Sequence, residues 1–201
     1  HKTTSCEMGS KSACIVFDDA DIDMAVDAAI ASAFKLSGQR CVSSGRMIVQ
    51  RSVYDEFCEK FAAKAKEITT GNPFNKDGTV NEDMYYGPII NKQGYAKVQS
   101  YNDNVLRDPQ AEVLLSPEYT SENGTYYITP TVYKVEWRGV DAPYLRNEVF
   151  GPHVALIPFD TVEDGVRIYN DTEYGLAVGI LTNDYRIARY CRDNCDTGMC
   201  Y

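Results

Sequence analysis

Short apolar runs alternate with amphipathic helical stripes along most of this chain, and few folds accommodate that rhythm. The first run, Ala13 to Phe17, is too short for a helix and too apolar for an exposed strand, so it reads as a buried strand. Asp18, Asp19 and Asp21 follow, then Ile22, Val26, Ile30 and Phe34 at a spacing of four, with Ala25, Ala29 and Ala33 beside them. That is one apolar helical stripe with an acidic start, which the helix dipole favours. Gly38 is expected to close this helix in the left-handed conformation. Arg46–Gln50 reads as the next strand, and Ser52-Val53-Tyr54-Asp55 as a capping box opening a second helix with Phe57 and Phe61 inward.

After a turn-rich stretch from Gly71 to Asn91, a helix is predicted over 92–107, and strands near 112–115, 126–129 and 131–135. His153–Phe159 reads as a strand, and Thr161-Val162-Glu163-Asp164 as a second capping box. Ala177–Thr182 reads as a strand, and Asp184–Asn194 as a helix with Ile187, Ala188 and Cys191 inward. The fold class is therefore α/β, a mostly parallel sheet with flanking helices. No internal linker or repeat is evident, so residues 1–201 are expected to form a single domain.

Charge narrows the functional classes. The chain has 20 basic and 29 acidic residues, a formal charge of −9, which disfavours nucleic-acid backbone binding because that requires clustered Lys and Arg. The 15 tyrosines are scattered, as half-buried amphipathic side chains usually are, and do not form an obvious stacking platform. There are seven cysteines without a CxxC pair, so at least one is unpaired and a reducing, cytoplasmic setting is expected. No apolar run is long enough to span a membrane. Cys191 and Cys195 share a helical face, but only His1 and His153 could join them, so core packing is expected and no metal site. Asp18, Asp19, Asp21 and Asp23 lack the pattern of a calcium loop and read as a helix start.

Three short segments could carry chemistry. Cys41 follows the turn Ser37-Gly38-Gln39-Arg40, between a helix and a strand, where a side chain can be presented at the sheet's edge. Arg40 beside it could favour the nucleophilic thiolate; an inert buried cysteine is the competing reading. Glu7, in a Gly-containing segment before the first strand, could serve as a general base or be a plain surface acid. Glu148, beside Phe150-Gly151-Pro152, could hold ligand hydroxyls or cap a turn.

Taken in order, Glu7-Met8-Gly9-Ser10-Lys11, Gly38-Gln39-Arg40-Cys41 and Glu148-Val149-Phe150-Gly151-Pro152 resemble the catalytic domain of the aldehyde dehydrogenase superfamily. Ile15–Asp23, Gly87-Pro88-Ile89-Ile90, Pro130-Thr131-Val132 and Asn170–Leu176 extend the resemblance over nearly the whole chain. The resemblance implies that Cys41 is the nucleophile and Glu7 the base for deacylation, with Glu148 and Phe150 at the nicotinamide end of NAD or NADP. It implies oxidation of a small-molecule aldehyde, semialdehydes included, through a thiohemiacetal and a thioester on Cys41. A homo-oligomeric parent is also implied. Met8 and Ser10 stand where Leu and Gly are commoner.

Nothing here resembles the family's dinucleotide-binding domain or its oligomerising tail, and no Gly-x-Gly-x-x-Gly occurs. The chain is therefore expected to be part of a longer enzyme, with weak or no cofactor binding by itself. Two rivals remain: a non-catalytic binding module, and a thiol esterase using Cys41 without a cofactor.

Overall fold

The computed structural model describes residues 2–201, so His1 lies outside the described residues. In chain order the elements are β1 (Ala13–Val16), α1 (Ile22–Phe34), β2 (Arg46–Gln50), α2 (Tyr54–Lys66), α3 (Lys92–Arg107), β3 (Glu112–Leu115), β4 (Tyr119–Glu122) and β5 (Thr125–Ile128). They continue with β6 (Thr131–Lys134), α4 (Pro143–Arg146), β7 (His153–Phe159), α5 (Val162–Asn170), β8 (Ala177–Leu181), α6 (Tyr185–Asn194) and β9 (Met199–Cys200). Seven strands form one sheet in the order β3-β6-β7-β2-β1-β8-β9. Every neighbouring pair is parallel except β3 with β6, as expected for an α/β sheet.

The strand residues divide by parity. Ala13, Ile15 and Phe17 face one core with Val166, Ile168 and Tyr169 of α5 and Cys191 of α6. Cys14 and Val16 face the other, with Ala25, Ala29 and Phe34 of α1 and Phe57 and Phe61 of α2. Both faces are covered, which is why the strands read as unbroken apolar runs rather than alternating ones. Cys191 of α6 and Cys195, just past its end, pack as expected: Cys191 is fully buried and Cys195 nearly so.

Several local expectations need correction. α1 ends at Phe34, and a 3-10 turn over Lys35–Gly38 follows, with Leu36 and Ser37 as well as Gly38 at positive φ. Gly38 therefore does not terminate the helix; it closes the turn after it. Ser52 does not cap α2, because its hydroxyl donates to Asp18 and a 3-10 turn over Arg51–Val53 leads into the helix. Thr161 does cap α5, accepting from the Asp164 amide at 3.2 Å. The predicted strand near 126–129 is β5 and belongs to a separate hairpin with β4.

The connections determine which end of the sheet carries the loops of interest. The turn with Cys41 leads into β2, the segment 7–12 into β1, and the loop 147–152 into β7. All three lie at the amino ends of neighbouring parallel strands, where Ala13 pairs with Arg46 and Arg46 with Ala155. Ligands of open α/β sheets usually gather outside the carboxyl ends. Here the candidate residues sit at the opposite end.

Candidate functional site

The Cys41 turn is fixed by polar and steric contacts on two sides. Ser37 donates to the Gly87 carbonyl at 2.8 Å, and the Gln39 amide donates to Pro88 O at 3.1 Å and accepts from Ile90 N at 2.8 Å. These bonds tie the Gly87–Ile90 segment to the turn. Gly38 adopts φ +69°, and a Cβ there would lie 2.4 Å from the Gly151 carbonyl oxygen. The turn and the Phe150-Gly151-Pro152 loop thus meet backbone to backbone, which only glycine permits.

The side-chain hydrogen bonds of Arg40 go to groups other than the Cys41 thiol. Its guanidinium donates to the carbonyls of Ala31 and Ser32, at 3.2 and 2.9 Å, and to the Ser43 hydroxyl. It ties off the end of α1, where carbonyls lack partners. Cys41 itself is half-buried rather than sealed in the core.

Glu148 is half-buried, and its Oε1 accepts the Ser10 amide at 2.9 Å. A Cβ on Gly9 would fall 2.7 Å from Oε2, so the 7–11 segment lies directly against this carboxylate. Ser12 reaches the other way, its hydroxyl 3.5 Å from the Cys41 carbonyl oxygen. The structure therefore brings the three motif segments together. It does not bring the Glu7 and Cys41 side chains into a hydrogen bond among the described residues. Residues 2–9 are all exposed, and Glu7 is among them.

Beneath these loops lies a row of buried cationic and imidazole groups that the sequence did not announce. Arg46, 1% exposed, donates to Lys11 O at 2.6 and 3.2 Å, to Ile168 O at 3.0 Å and to Tyr169 O at 3.2 Å. Its guanidinium also lies 5.5 Å from the ring centres of Trp137 and Tyr169, a cation–π arrangement. Burial lowers its pKa to about 10, with the neighbouring Tyr169 and Asp171 opposing.

The Lys11 ammonium donates to Tyr144 O at 2.9 Å. Burial first, then the nearby Arg46, lowers its pKa to about 7, with Glu148 opposing. His153 stands between the Tyr133 hydroxyl, 2.8 Å from Nε2, and Asn102 Oδ1, 2.7 Å from Nδ1. Burial, and then Lys11, holds its pKa well below the ordinary value. In the neutral ring Nδ1–H donates to Asn102 and Nε2 accepts from Tyr133. Charged residues usually read as surface; only their place just before apolar runs could have marked Lys11 and Arg46.

Glu148 and Phe150 line a cleft of about 210 Å³ with Gln39, Ile90, Gly94 and Lys97. Phe150 is 37% exposed and holds φ +61°, a strained backbone of the kind that clusters at ligand sites. A larger cleft of about 460 Å³ lies between α1 and β8, lined mainly by small apolar residues. Glu7, Cys41 and Glu148 do not line it.

The model of the aldehyde dehydrogenase family matches residues 1–201. This chain belongs to that family. It is 38% identical over 183 residues to aldehyde dehydrogenase family 2 member C4 of Arabidopsis thaliana, covering 91% of this chain and 34% of that protein. It is 37% identical over 182 residues to a mitochondrial succinate-semialdehyde dehydrogenase of Oryza sativa, covering 90% of this chain and 32% of that protein.

Among solved structures, lactaldehyde dehydrogenase from Escherichia coli superposes with a TM-score of 0.88 at 30% identity, over 97% of this chain and 39% of its own. Betaine aldehyde dehydrogenase from Staphylococcus aureus in complex with NAD+ gives 0.84 at 28%, over 96% of this chain and 37% of its own. The chain thus spans about a third of the length of the curated relatives it matches. Among the described residues no helix is long and apolar enough to cross a membrane, and no cluster of His, Cys, Asp and Glu could hold a metal ion.

Proposed function

We propose that this chain is the catalytic domain, a single unit over residues 1–201, of an NAD(P)-dependent aldehyde dehydrogenase acting on small aldehydes or semialdehydes. The observation that carries the reading is the convergence of the Glu7, Cys41 and Glu148 segments at the amino ends of β1, β2 and β7, closed by the Ser10–Glu148 hydrogen bond and the Gly38–Gly151 contact.

Cys41 is the nucleophile. Its sulfur forms a bond to the aldehyde carbon while the carbonyl π electrons move to oxygen, giving a thiohemiacetal. The backbone N–H of Cys41 is one donor toward that oxygen, a role in which a single preorganised donor contributes about 3–4 kcal/mol. When bound, the nicotinamide supplies the acceptor for the hydride, and the carbon remains on Cys41 as a thioester. Glu7 takes a proton from water, the water oxygen bonds to the thioester carbon, and the C–S bond breaks to return the thiolate. Glu7 lies in the exposed stretch 2–9, so its carboxylate is open to the water it would activate.

The cleft beside Glu148 fits one end of such a cofactor. A carboxylate for sugar hydroxyls, the Lys97 ammonium, the Gln39 amide and the Phe150 ring are the groups a ribose and its attached ring require. By itself the 201-residue chain is expected to carry out acyl transfer at Cys41 and no hydride step. Treatment with p-nitrophenyl acetate, followed by peptide mapping, tests this reading. Half-buried Cys41 should acetylate ahead of the exposed Cys6 and Cys200. If the order of reaction simply follows exposure, the reading fails. NAD+ reduction by the isolated chain would overturn the division of labour.

A further inference from the structure

Lys11 is the point at which the three segments of the site are joined. Its own segment carries Glu7. Its carbonyl oxygen is held by Arg46, five residues after Cys41. Its ammonium holds the carbonyl of Tyr144 in α4, four residues before Glu148. The residues on either side repeat the pattern, since the Ser10 amide binds Glu148 and the Ser12 hydroxyl approaches the Cys41 carbonyl. Lys11 is 4% exposed. The groups facing it are Arg46 on β2, Lys97 on α3, His153 on β7 and Glu148, a single carboxylate among cationic and imidazole neighbours.

An ammonium buried beside a guanidinium is costly, and an apolar chain of similar length would fill the space without that penalty. What an apolar chain cannot supply is a charge-assisted donor to the Tyr144 carbonyl. We propose that Lys11 is a positioning residue for deacylation, fixing the Glu7-bearing segment against the loop that carries Glu148 and the strand that follows Cys41. This inference rests on the functional reading above and concerns the same site. The depressed pKa adds a consequence: the tie weakens as pH rises through about 7.

The test uses the full chain and its Lys11→Met variant. Two quantities are read: hydrogen exchange of the amides of residues 8–12, and the lifetime of acetyl-Cys41 by intact mass spectrometry after p-nitrophenyl acetate. In the variant, exchange at 8–12 should rise about tenfold while β2 and β7 stay protected. The acetyl lifetime should lengthen about tenfold, a part of the roughly 10²–10⁴-fold that a positioned base contributes, with acetylation itself changed less than about twofold. In the unsubstituted chain the lifetime should show a step near pH 7 that the variant lacks.

Unchanged exchange and lifetime in the variant would overturn the role of Lys11 while leaving Cys41 as the nucleophile. If Cys41 of the unsubstituted chain does not acetylate, the functional reading fails and the deacylation role of Lys11 falls with it, while the exchange data still decide whether Lys11 orders residues 8–12. If the variant does not fold, exchange at 8–12 relative to 46–50 in the unsubstituted chain decides: a ratio that stays flat through pH 7 overturns the proposal.

Discussion

The two ends of the parallel sheet solve the same electrostatic problem in opposite ways. At the carboxyl ends of β2 and β7, Arg51 pairs with Glu136 and Asp160, and all three side chains are roughly half exposed or more. At the amino ends, Arg46 and Lys11 are buried and are held by peptide carbonyls. Exposed ion pairs contribute little because water already solvates both partners. Buried donors to main-chain carbonyls are different: each also fixes the backbone of a connecting loop, and losing one leaves an orphaned acceptor. The candidate chemistry sits at the end built in the second way.

That contrast breaks most sharply at the two arginines. Arg46→Met should cost about 3–5 kcal/mol, since it leaves three carbonyls without their donor. Arg51→Met should cost less than about 1 kcal/mol. Guanidinium denaturation of both variants decides the point, and equal losses would refute the comparison. Next in size, Gly38→Ala should cost about 2–3 kcal/mol and abolish preferential acetylation of Cys41, because its Cβ would collide with the Gly151 carbonyl at a positive φ.

Acidification should separate the two ends. His153 is held neutral in the folded state, so its folded pKa lies below its unfolded one. The unfolded chain binds the extra proton, and stability falls as pH drops below about 6.5, by at most about 1.4 kcal/mol per pH unit. Asp160, whose pKa is depressed by Arg51, loses its contribution only in more acidic solution, as pH falls through its folded value. Urea titrations of the chain and of a His153→Asn variant from pH 7 to 4 should show the first loss vanishing in the variant. The smallest effect is expected at Gly124→Ala, about 1 kcal/mol or less, because φ +78° there meets open space.

The central strands of the main sheet were legible because burial on both faces leaves continuous apolar runs, as at Ala13–Val16 and Met47–Val49; the two-residue edge strand β9 was not foreseen. β4 was not foreseen, since its Tyr-Thr-Ser-Glu is largely exposed; the Asn123-Gly124 pair, both at positive φ, was the available signal for a hairpin. The end of α1 was misplaced because Leu36 and Ser37 adopt positive φ without being glycine, which tertiary contacts such as Ser37 to Gly87 enforce.

Within the candidate site, Cys41, Glu7 and Glu148 were singled out through the resemblance of their segments to one family. Residue type alone left each ambiguous. The ties made by Arg46, Lys11 and Gln39 were not foreseen because their partners are main-chain groups remote in sequence, and a charged side chain carries no local mark that it will be buried.

The manner in which Arg46 is held has one more consequence. Its direct contacts are oriented peptide dipoles and two aromatic faces, and dissolved ions cannot reach in to replace them. Ionic strength screens exposed pairs such as Arg51–Asp160 over a Debye length of about 10 Å at 0.1 M, while buried charges are screened far less. The loops that carry Cys41 and Glu7 should therefore keep their spacing from dilute buffer to concentrated brine, even as the opposite rim of the sheet gives up its surface bridges.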